Sequence, residues 1–199
     1  GAGWQEREHT NYGFDLLEII DRFDRFEVGL KVVNLLLNSD EGSDFSGKYY
    51  QLQDGILLPR PQRPGGPPIL IGGNGRKRTL PLTAQYATEW NALMTTPDEF
   101  AALNRHRDPL IAEQDRQPAD IKRSMMVGTI FGADDSQVNE RVEARTKGER
   151  TADDLRERGV IVGTPNEMAD QLNRLAQAGV QRVMLQWIDL DDIDGLEII

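Results

Sequence analysis

From residue 69 onward, short apolar runs alternate with segments of helical pattern, and this alternation limits the fold more than any other feature of the chain. The apolar runs occupy residues 69–71, 124–131 and 180–187, and a further short strand is predicted at 89–91. Helix start signals follow two of these strands, since Thr96-Pro97 and Thr164-Pro165 each offer an N-cap residue and a proline for the first helical position. Because strands separated by helices pair in parallel, the pattern predicts a helix-covered parallel sheet with four full strands.

The first third of the chain has a different pattern. Between residues 15 and 38, apolar side chains recur at spacings of three and four, which predicts a long helix. Residues 43–66 then place glycines and prolines around short β-prone pieces at 49–50 and 56–58, which predicts an excursion with a small hairpin. Residues 1–4 are typical of the end of a strand. Farther along, the polar residues 134–158 predict one surface helix.

Residues 67–80 combine a buried strand, a glycine-rich turn and a cluster of cations. Glycines lie at positions 72, 73 and 75, and we place Gly72 and Gly73 in the turn after the strand. Basic residues fill 76–78, in the expected first turn of a helix over 76–86, where the helix dipole disfavours cations unless an anion binds. The segment therefore predicts an anion site, although an ordinary turn before a solvated helix face stays an equal alternative. Its spacing matches neither the GxxxxGK[ST] nor the GxGxxG nucleotide motif.

Composition excludes several classes of partner. The 199 residues carry a formal net charge of -10, which argues against nucleic acid or an anionic membrane as a general partner. No apolar run approaches the ~20 residues that span a bilayer, and the absence of cysteine excludes disulfides and thiolate metal sites. We therefore expect a cytoplasmic protein. We expect no metal site, because the aspartates at 189, 191, 192 and 194 lack the alternation of a cation loop.

Three further side chains are candidates for a site. His9 and His106 are the two histidines; we treat His106 as a surface residue and His9 as a weak candidate for the lining of a substrate pocket. Trp90 and Asn91 lie in a predicted strand and are weak candidates for the same pocket. Core packing is the equal alternative for Trp90.

Several motifs resemble the luciferase-like flavin and deazaflavin oxidoreductases, and more closely their members that use coenzyme F420. In family order they are Gly1-Ala2-Gly3-Trp4, Glu8-His9, Tyr12-Gly13, Phe45-Ser46-Gly47-Lys48-Tyr49-Tyr50, Ile69-Leu70-Ile71-Gly72-Gly73, Glu89-Trp90-Asn91, Gly163-Thr164-Pro165 and the closing run 180–186. The resemblance covers essentially the whole chain. Their combination is far more specific than any single motif.

The resemblance implies a (β/α)8 TIM barrel of the bacterial luciferase-like type, of which this chain is the C-terminal half. We expect one barrel domain over residues 1–199, N-terminally incomplete, with the hairpin-containing insertion at about 43–66. The chain would then hold the end of the fourth barrel strand at 1–4 and the last four strands. The family places key catalytic groups on the early strands, so no catalytic residue is assigned here, and we expect the isolated chain to be inactive.

The resemblance also implies a cofactor site at the C-terminal ends of the strands. Ile71, Gly72 and Gly73 would contact the cofactor, while Asn74, Arg76 and Lys77 would meet its anionic tail. A second contact segment would comprise Gly1, Ala2, Gly3 and Glu8.

Three functions stay open on this basis. The first is hydride transfer between coenzyme F420 and a small organic substrate, with the cofactor supplying the chemistry. The second is an FMN-dependent monooxygenase, which would need a flavin or F420 reductase as partner. The third is a partial barrel that binds an anion without catalysis. The cations at 76–78 favour F420 because its tail carries more negative charge than a single phosphate. The resemblance also allows a homodimer.

Overall fold

A computed structural model describes residues 1–193 and 195, and within them the chain forms two compact units. Unit 1 comprises residues 1–69 and 85–87, and unit 2 comprises residues 70–84 and the chain from Thr88 onward. Each unit is described by itself. The expectation of one barrel domain over 1–199 stays a prediction.

Unit 1 contains two helices and a hairpin. In chain order they are α1 (Glu6–Tyr12), α2 (Ile19–Asn38), β1 (Ser43–Ser46) and β2 (Gln51–Gly55). The two strands are antiparallel, so the hairpin predicted within 43–66 is present. Arg60 donates hydrogen bonds to the carbonyls of Leu36 and Leu37 at 2.8 and 3.1 Å. A cation therefore satisfies carbonyls in the last turn of α2, where the helix dipole favours positive charge.

Several boundaries predicted in unit 1 are wrong. Residues 1–4 form no strand, because Gly3 has φ +82°, outside the extended region. The long helix begins at Ile19 instead of residue 15, and α1 was not predicted. The hairpin strands flank residues 49–50 instead of containing them, because Tyr49 lies in the connection and donates its hydroxyl hydrogen to Asp21 at 2.9 Å. Hydrogen bonds from Lys48 and Tyr49 lower the pKa of Asp21.

Unit 2 is a parallel sheet with helices between its strands. Its elements are β3 (Leu70–Gly72), α3 (Thr79–Tyr86, whose last two residues belong to unit 1), β4 (Glu89–Leu93), α4 (Pro97–Ala112), a 3₁₀ turn (Pro118–Asp120), β5 (Lys122–Phe131), α5 (Asp135–Thr146), α6 (Ala152–Glu157), β6 (Ile161–Gly163), α7 (Pro165–Gln177) and β7 (Arg182–Gln186). The strands follow the order β3-β4-β5-β6, and β7 also pairs with β5. Every pairing is parallel, as predicted.

One face of this sheet lies in the core. Residues that alternate along β3, β4 and β5 have at most 1% of their surface exposed: Ile71, Trp90, Ala92, Met125 and Val127. The N-caps predicted at Thr96 and Thr164 are present, each with a glutamate three residues later that completes a capping box. The helices α4 and α7 therefore begin where the sequence signals placed them.

Unit 2 departs from the predicted pattern at three places. It contains a fifth parallel strand among the described residues, the three-residue β6, which the sequence analysis did not identify. The polar segment 134–158 forms two helices instead of one, because Lys147 and Gly148 adopt left-handed φ values of +55° and +76°. Gly72 belongs to β3, so only Gly73 begins the turn.

No helix within residues 1–193 and 195 is long and apolar enough to cross a membrane.

Glu167 links the capping box of α7 to α6 and should make stability depend on acid. Its carboxylate accepts hydrogen bonds from the Thr164 backbone and hydroxyl at 2.9 and 3.0 Å and from Arg156 at 3.0 Å. The Thr164 backbone bond is the main cause that lowers the pKa of Glu167 below its ordinary 4.5. Because a lowered folded pKa stabilises only above the unfolded value, this contribution should be lost as pH falls through the lowered pKa.

We therefore expect Glu167→Gln to reduce the free energy of unfolding by about 0.5–1 kcal/mol at pH 7, and the difference from wild type to vanish well below pH 4.5. Urea unfolding at stepped pH measures this. Glu140→Gln, on the exposed side of α5, is the control. A Glu167→Gln deficit that persists unchanged into acid would contradict this assignment.

Candidate functional site

The segment after β3 is held against β4 through both polar groups of one glycine. Gly73 donates its N–H to the Asn91 carbonyl at 2.9 Å, and its own carbonyl accepts the Trp90 indole N–H at 2.9 Å. Gly73 has φ +121°, a conformation that side chains rarely adopt. The sequence therefore needs glycine here. We call residues 73–78 the glycine turn.

Asn74 adds two more hydrogen bonds to the same strand. Its side-chain Nδ2 donates to the Leu93 carbonyl at 2.7 Å, and its Oδ1 accepts the Leu93 N–H at 2.9 Å. Both ends of the amide are thus occupied by backbone. Asn74 was predicted to meet an anionic tail; in this structure its side chain holds the glycine turn, and the predicted ligand contact stays a prediction.

The glycine turn presents cations and backbone donors at its end. Arg76 and Lys77 are exposed, and neither forms an ion pair with any residue in the described ranges 1–193 and 195. Within those ranges the backbone N–H groups of Gly75, Arg76 and Lys77 also find no acceptor. The local arrangement combines two positive side chains with unpaired donors, which is the chemistry that an anion requires.

The cations do not lie in the first helical turn, as the sequence predicted. The helix begins at Thr79, and residues 76–78 form a turn before it. Pro81 explains the shift: it has no N–H to bond the carbonyl of residue 77, so regular helix starts with Pro81 as its third residue. The Arg76 carbonyl instead accepts a hydrogen bond from Nε2 of His106 at 3.3 Å.

Trp90 lies in the core and not in an open pocket. Its ring stacks on Phe100 with centroids 5.1 Å apart, and the Arg107 guanidinium carbon lies 5.1 Å from the ring centroid. Arg107 is fully buried; it donates to Asp108 at 2.8 Å, while its Nε and Nη1 have no partner among residues 1–193 and 195. Burial lowers the pKa of the Arg107 guanidinium, and the bond to Asp108 opposes that change. The indole N–H, the only polar group of the Trp90 side chain, donates to the Gly73 carbonyl.

Asn91 lies on the opposite face of β4, because successive side chains alternate across a strand. Its Nδ2 donates to Ser124 Oγ at 2.9 Å and lies 3.7 Å from Met184 Sδ. Ser124 donates in turn to the Trp90 carbonyl at 3.2 Å. Glu89, also on this face, pairs with Arg182 at 3.1 Å. A polar row therefore crosses β4, β5 and β7 on the face opposite the helices.

The sequence did not predict this row or the two polar contacts of Trp90 and Asn74. All of them depend on strand register, which places Gly72 beside Asn91 and Asn91 beside Ser124. The alternation within residues 89–93 was a usable signal, since it assigns Trp90 and Asn91 to opposite faces.

The other predicted site residues occupy different positions. Ile71 is buried on the helix-covered face, so only its backbone is available to a ligand, whereas Gly72 is exposed. In unit 1, the Gly3 carbonyl accepts from Arg22 at 3.0 Å, and His9 Nδ1 lies 2.8 Å from the Gln5 carbonyl. Gly1, Ala2, Gly3, Glu8 and His9 belong to unit 1 and the glycine turn to unit 2. The roles of Gly1, Ala2, Gly3 and Glu8 as a second contact segment, and of His9 in a substrate pocket, stay predictions.

A separate cavity of about 280 Å³ lies between α5 and the ends of β5 and β7. Arg141 in its wall donates to the Phe131 carbonyl at 2.6 Å and pairs with Asp192, so its charge is already used. Trp187, also in the wall, has an indole N–H without a partner in the part of the chain that the structure describes. Within residues 1–193 and 195 no group of three or more His, Cys, Asp or Glu side chains is placed to hold a metal ion; Asp194 of the acidic tail lies outside those residues.

Comparison with known sequences gives a match over most of the chain. The statistical model of the family described as luciferase-like monooxygenase matches residues 1–182. A pyrimidine monooxygenase, RutA of Caulobacter vibrioides, is 31% identical over 120 residues, which are 58% of this chain and 32% of that protein. The chain thus spans about a third of the length of this curated relative.

Solved structures share the fold. The EDTA monooxygenase EmoA from Chelativorans sp. BNC1 superposes with a TM-score of 0.76 at 18% identity, over 95% of this chain and 61% of that chain. An F420-dependent secondary alcohol dehydrogenase in complex with an F420-acetone adduct gives 0.73 at 18% identity, over 86% and 58%. The predicted α/β fold of the luciferase-like barrel type is confirmed, and the chain spans about three fifths of these structures.

The shape of the glycine turn makes a steric prediction. A methyl group added at Gly75 would lie 2.8 Å from the hydroxyl oxygen of Thr79, which is buried and stiff because it is β-branched. We expect Gly75→Ala to lower the free energy of unfolding by about 1–3 kcal/mol in wild type. In a Thr79→Ala background the same change should cost almost nothing. Denaturant unfolding of the four proteins of this double-mutant cycle measures the coupling; equal penalties in both backgrounds would refute the contact.

Proposed function

Because the chain belongs to the luciferase-like monooxygenase family, we propose that it provides part of the cofactor site of an oxidoreductase that transfers a hydride between coenzyme F420 and a small organic substrate. The family match supports the enzyme class. Structural likeness alone does not choose the cofactor, because it extends both to an F420-dependent dehydrogenase and to monooxygenases.

The anchored glycine turn with its two exposed cations is the observation that carries the choice of F420. Arg76 and Lys77 project from a segment whose start is fixed to β4, and the adjacent N–H groups of residues 75–77 are without acceptors among the described residues. A tail with a phosphate and further carboxylates can use both cations, whereas FMN brings one phosphate. The two positive charges of Arg76 and Lys77 therefore match the tail of the deazaflavin coenzyme better than the single phosphate of FMN.

Within this proposal the chain's own residues position the cofactor, and the deazaflavin supplies the hydride chemistry when bound. Backbone at Ile71, Gly72 and Gly73 would border its ring side, and Arg76 and Lys77 would bind the anionic tail. Gly1, Ala2, Gly3 and Glu8 would form the second contact segment, with His9 and Asn91 toward the substrate. Asn91 already donates to Ser124, so its orientation is fixed before any ligand arrives.

An FMN-dependent monooxygenase is the second candidate, and a specific observation favours it. The relative RutA is a pyrimidine monooxygenase and is 31% identical over the matched 120 residues. In this case a single phosphate would occupy the glycine turn, and a flavin reductase would be the partner. Both candidates use the same turn, so binding of ligands with different negative charge distinguishes them.

We expect Arg76→Ala and Lys77→Ala each to weaken binding of F420 about ten- to a hundredfold at low salt, since a charge-assisted bond is worth about 1.5–3 kcal/mol. High salt should shrink the loss, because exposed charges are screened. Fluorescence titration with F420, FMN and riboflavin measures this. Arg150→Ala, an exposed cation between α5 and α6, is the matched control.

The outcomes discriminate among the three functions. A larger loss for F420 than for FMN supports the first function, and equal losses with tighter FMN binding support the monooxygenase. If inorganic phosphate displaces F420 or FMN as effectively as riboflavin does, the ring contributes no preference to binding. The non-catalytic anion site is then correct. Unchanged affinities in both variants at low salt would contradict the role of these cations.

A further inference from the structure

We propose that Trp90 and Asn74 are positioning residues for the cofactor's anionic tail: through β4, they hold the glycine turn in the conformation that binds it. This inference rests on the proposed function of the turn. Neither side chain needs to touch the ligand. Each acts on the backbone that does.

The hydrogen bonds fix the turn at two successive residues. Gly73 is held through its N–H by Asn91 and through its carbonyl by the Trp90 indole, both at 2.9 Å. Asn74 is held through both ends of its amide by the backbone of Leu93, at 2.7 and 2.9 Å. Beyond Asn74 the turn is contacted through carbonyls: Leu80 donates to the Gly75 carbonyl at 3.0 Å and His106 Nε2 to the Arg76 carbonyl at 3.3 Å. The start of the turn is therefore fixed, and among the described residues the N–H groups of residues 75–77 are left available.

The Trp90 donor is itself fixed by packing. The ring lies between Phe100, stacked at 5.1 Å with an interplanar angle of 19°, and the buried Arg107 guanidinium. Trp90 has no exposed surface, so its ring cannot rotate without disturbing both neighbours. The indole N–H consequently points at the Gly73 carbonyl whether or not a ligand is present.

This construction matters for binding because a loop that is already ordered loses less entropy when a ligand arrives. Gly73 has no side chain and a φ of +121°, so on its own it would sample many conformations. The contacts from Trp90 and Asn74 restrict it to one. The same restriction keeps the cations at Arg76 and Lys77 near the unpaired N–H groups of their own segment.

A purely structural role and a positioning role differ in their effect on the part of the binding affinity that the phosphate contributes. We define the phosphate increment as the ratio of the dissociation constants of riboflavin and FMN, or of the phosphate-free deazaflavin chromophore and F420. Loss of general stability would weaken both members of a pair alike. Loss of turn geometry should weaken only the member that carries the phosphate.

The experiment uses Trp90→Phe and Asn74→Ala. Phenylalanine keeps an aromatic ring on Phe100 and removes the N–H that bonds Gly73, while Asn74→Ala changes a side chain on the turn itself. Trp187→Phe is the matched control, because it removes an indole N–H that has no partner among the described residues. Titration gives the phosphate increment, and hydrogen exchange of the Gly73 amide, which bonds the Asn91 carbonyl, reports the order of the turn without ligand.

We expect the phosphate increment to fall about fivefold in Trp90→Phe, the loss that removal of one hydrogen bond of ordinary strength produces, and by more in Asn74→Ala, which removes two. Exchange of the Gly73 amide, which bonds the Asn91 carbonyl, should rise in both, and Trp187→Phe should change neither quantity. Equal weakening of both members of each ligand pair, or an unchanged phosphate increment in Asn74→Ala and Trp90→Phe, would overturn the proposal.

Failure of the proposed function gives a different result. If wild-type protein binds neither FMN nor F420, the cofactor site is wrong and the positioning role fails with it. If wild type binds with a large phosphate increment that the two variants retain, the cofactor site stands and only the positioning role is wrong.

Discussion

The hydrogen bonds between β4 and the residues that follow β3 are the interaction on which the candidate site depends. Parallel pairing places Gly72 beside Asn91, and the chain then continues beyond the ladder with bonds from Trp90, Asn91 and Leu93 to residues 73 and 74. Beyond β3, the Trp90 indole and the Asn74 amide continue the hydrogen bonds to β4 for two more residues. The chain is therefore held to the sheet up to Asn74, two residues before the first cation.

The alternation of β4 connects this turn to two different environments. Trp90 faces the helices, where Phe100 and the buried Arg107 fix its ring. Asn91 lies in the polar row on the other face, where it donates to Ser124 and lies close to Met184 Sδ. Burying an arginine with two unpartnered nitrogens is costly, and its contact with the Trp90 ring offsets part of that cost. Packing on one face of β4 thus fixes Trp90, and polar contacts on the other face fix Asn91. Both residues form hydrogen bonds with Gly73 of the candidate site.

Much of the fold was predictable because it follows from local signals. Thr96 and Thr164 marked helix starts through their capping boxes, and the apolar runs marked three of the parallel strands. The strand β6, directly before the helix start at Thr164, was not recognised, and the left-handed residues Lys147 and Gly148 split a helix that the charge pattern alone made continuous. The site was predictable only as a composition of glycines and cations. Its geometry depends on register and on Pro81, which moves the cations out of the helix.

The central claim is that the glycine turn, held by β4, binds the phosphate of the cofactor. An NMR titration of ¹⁵N-labelled protein with F420, and in parallel with FMN, tests it most directly, because backbone amides report anion contact individually. We predict that the largest phosphate-dependent shifts fall on the amides of residues 75–77 and are absent when the phosphate-free chromophore or riboflavin is added instead. Phosphate-dependent shifts confined to other segments, with residues 75–77 unperturbed, would contradict the account.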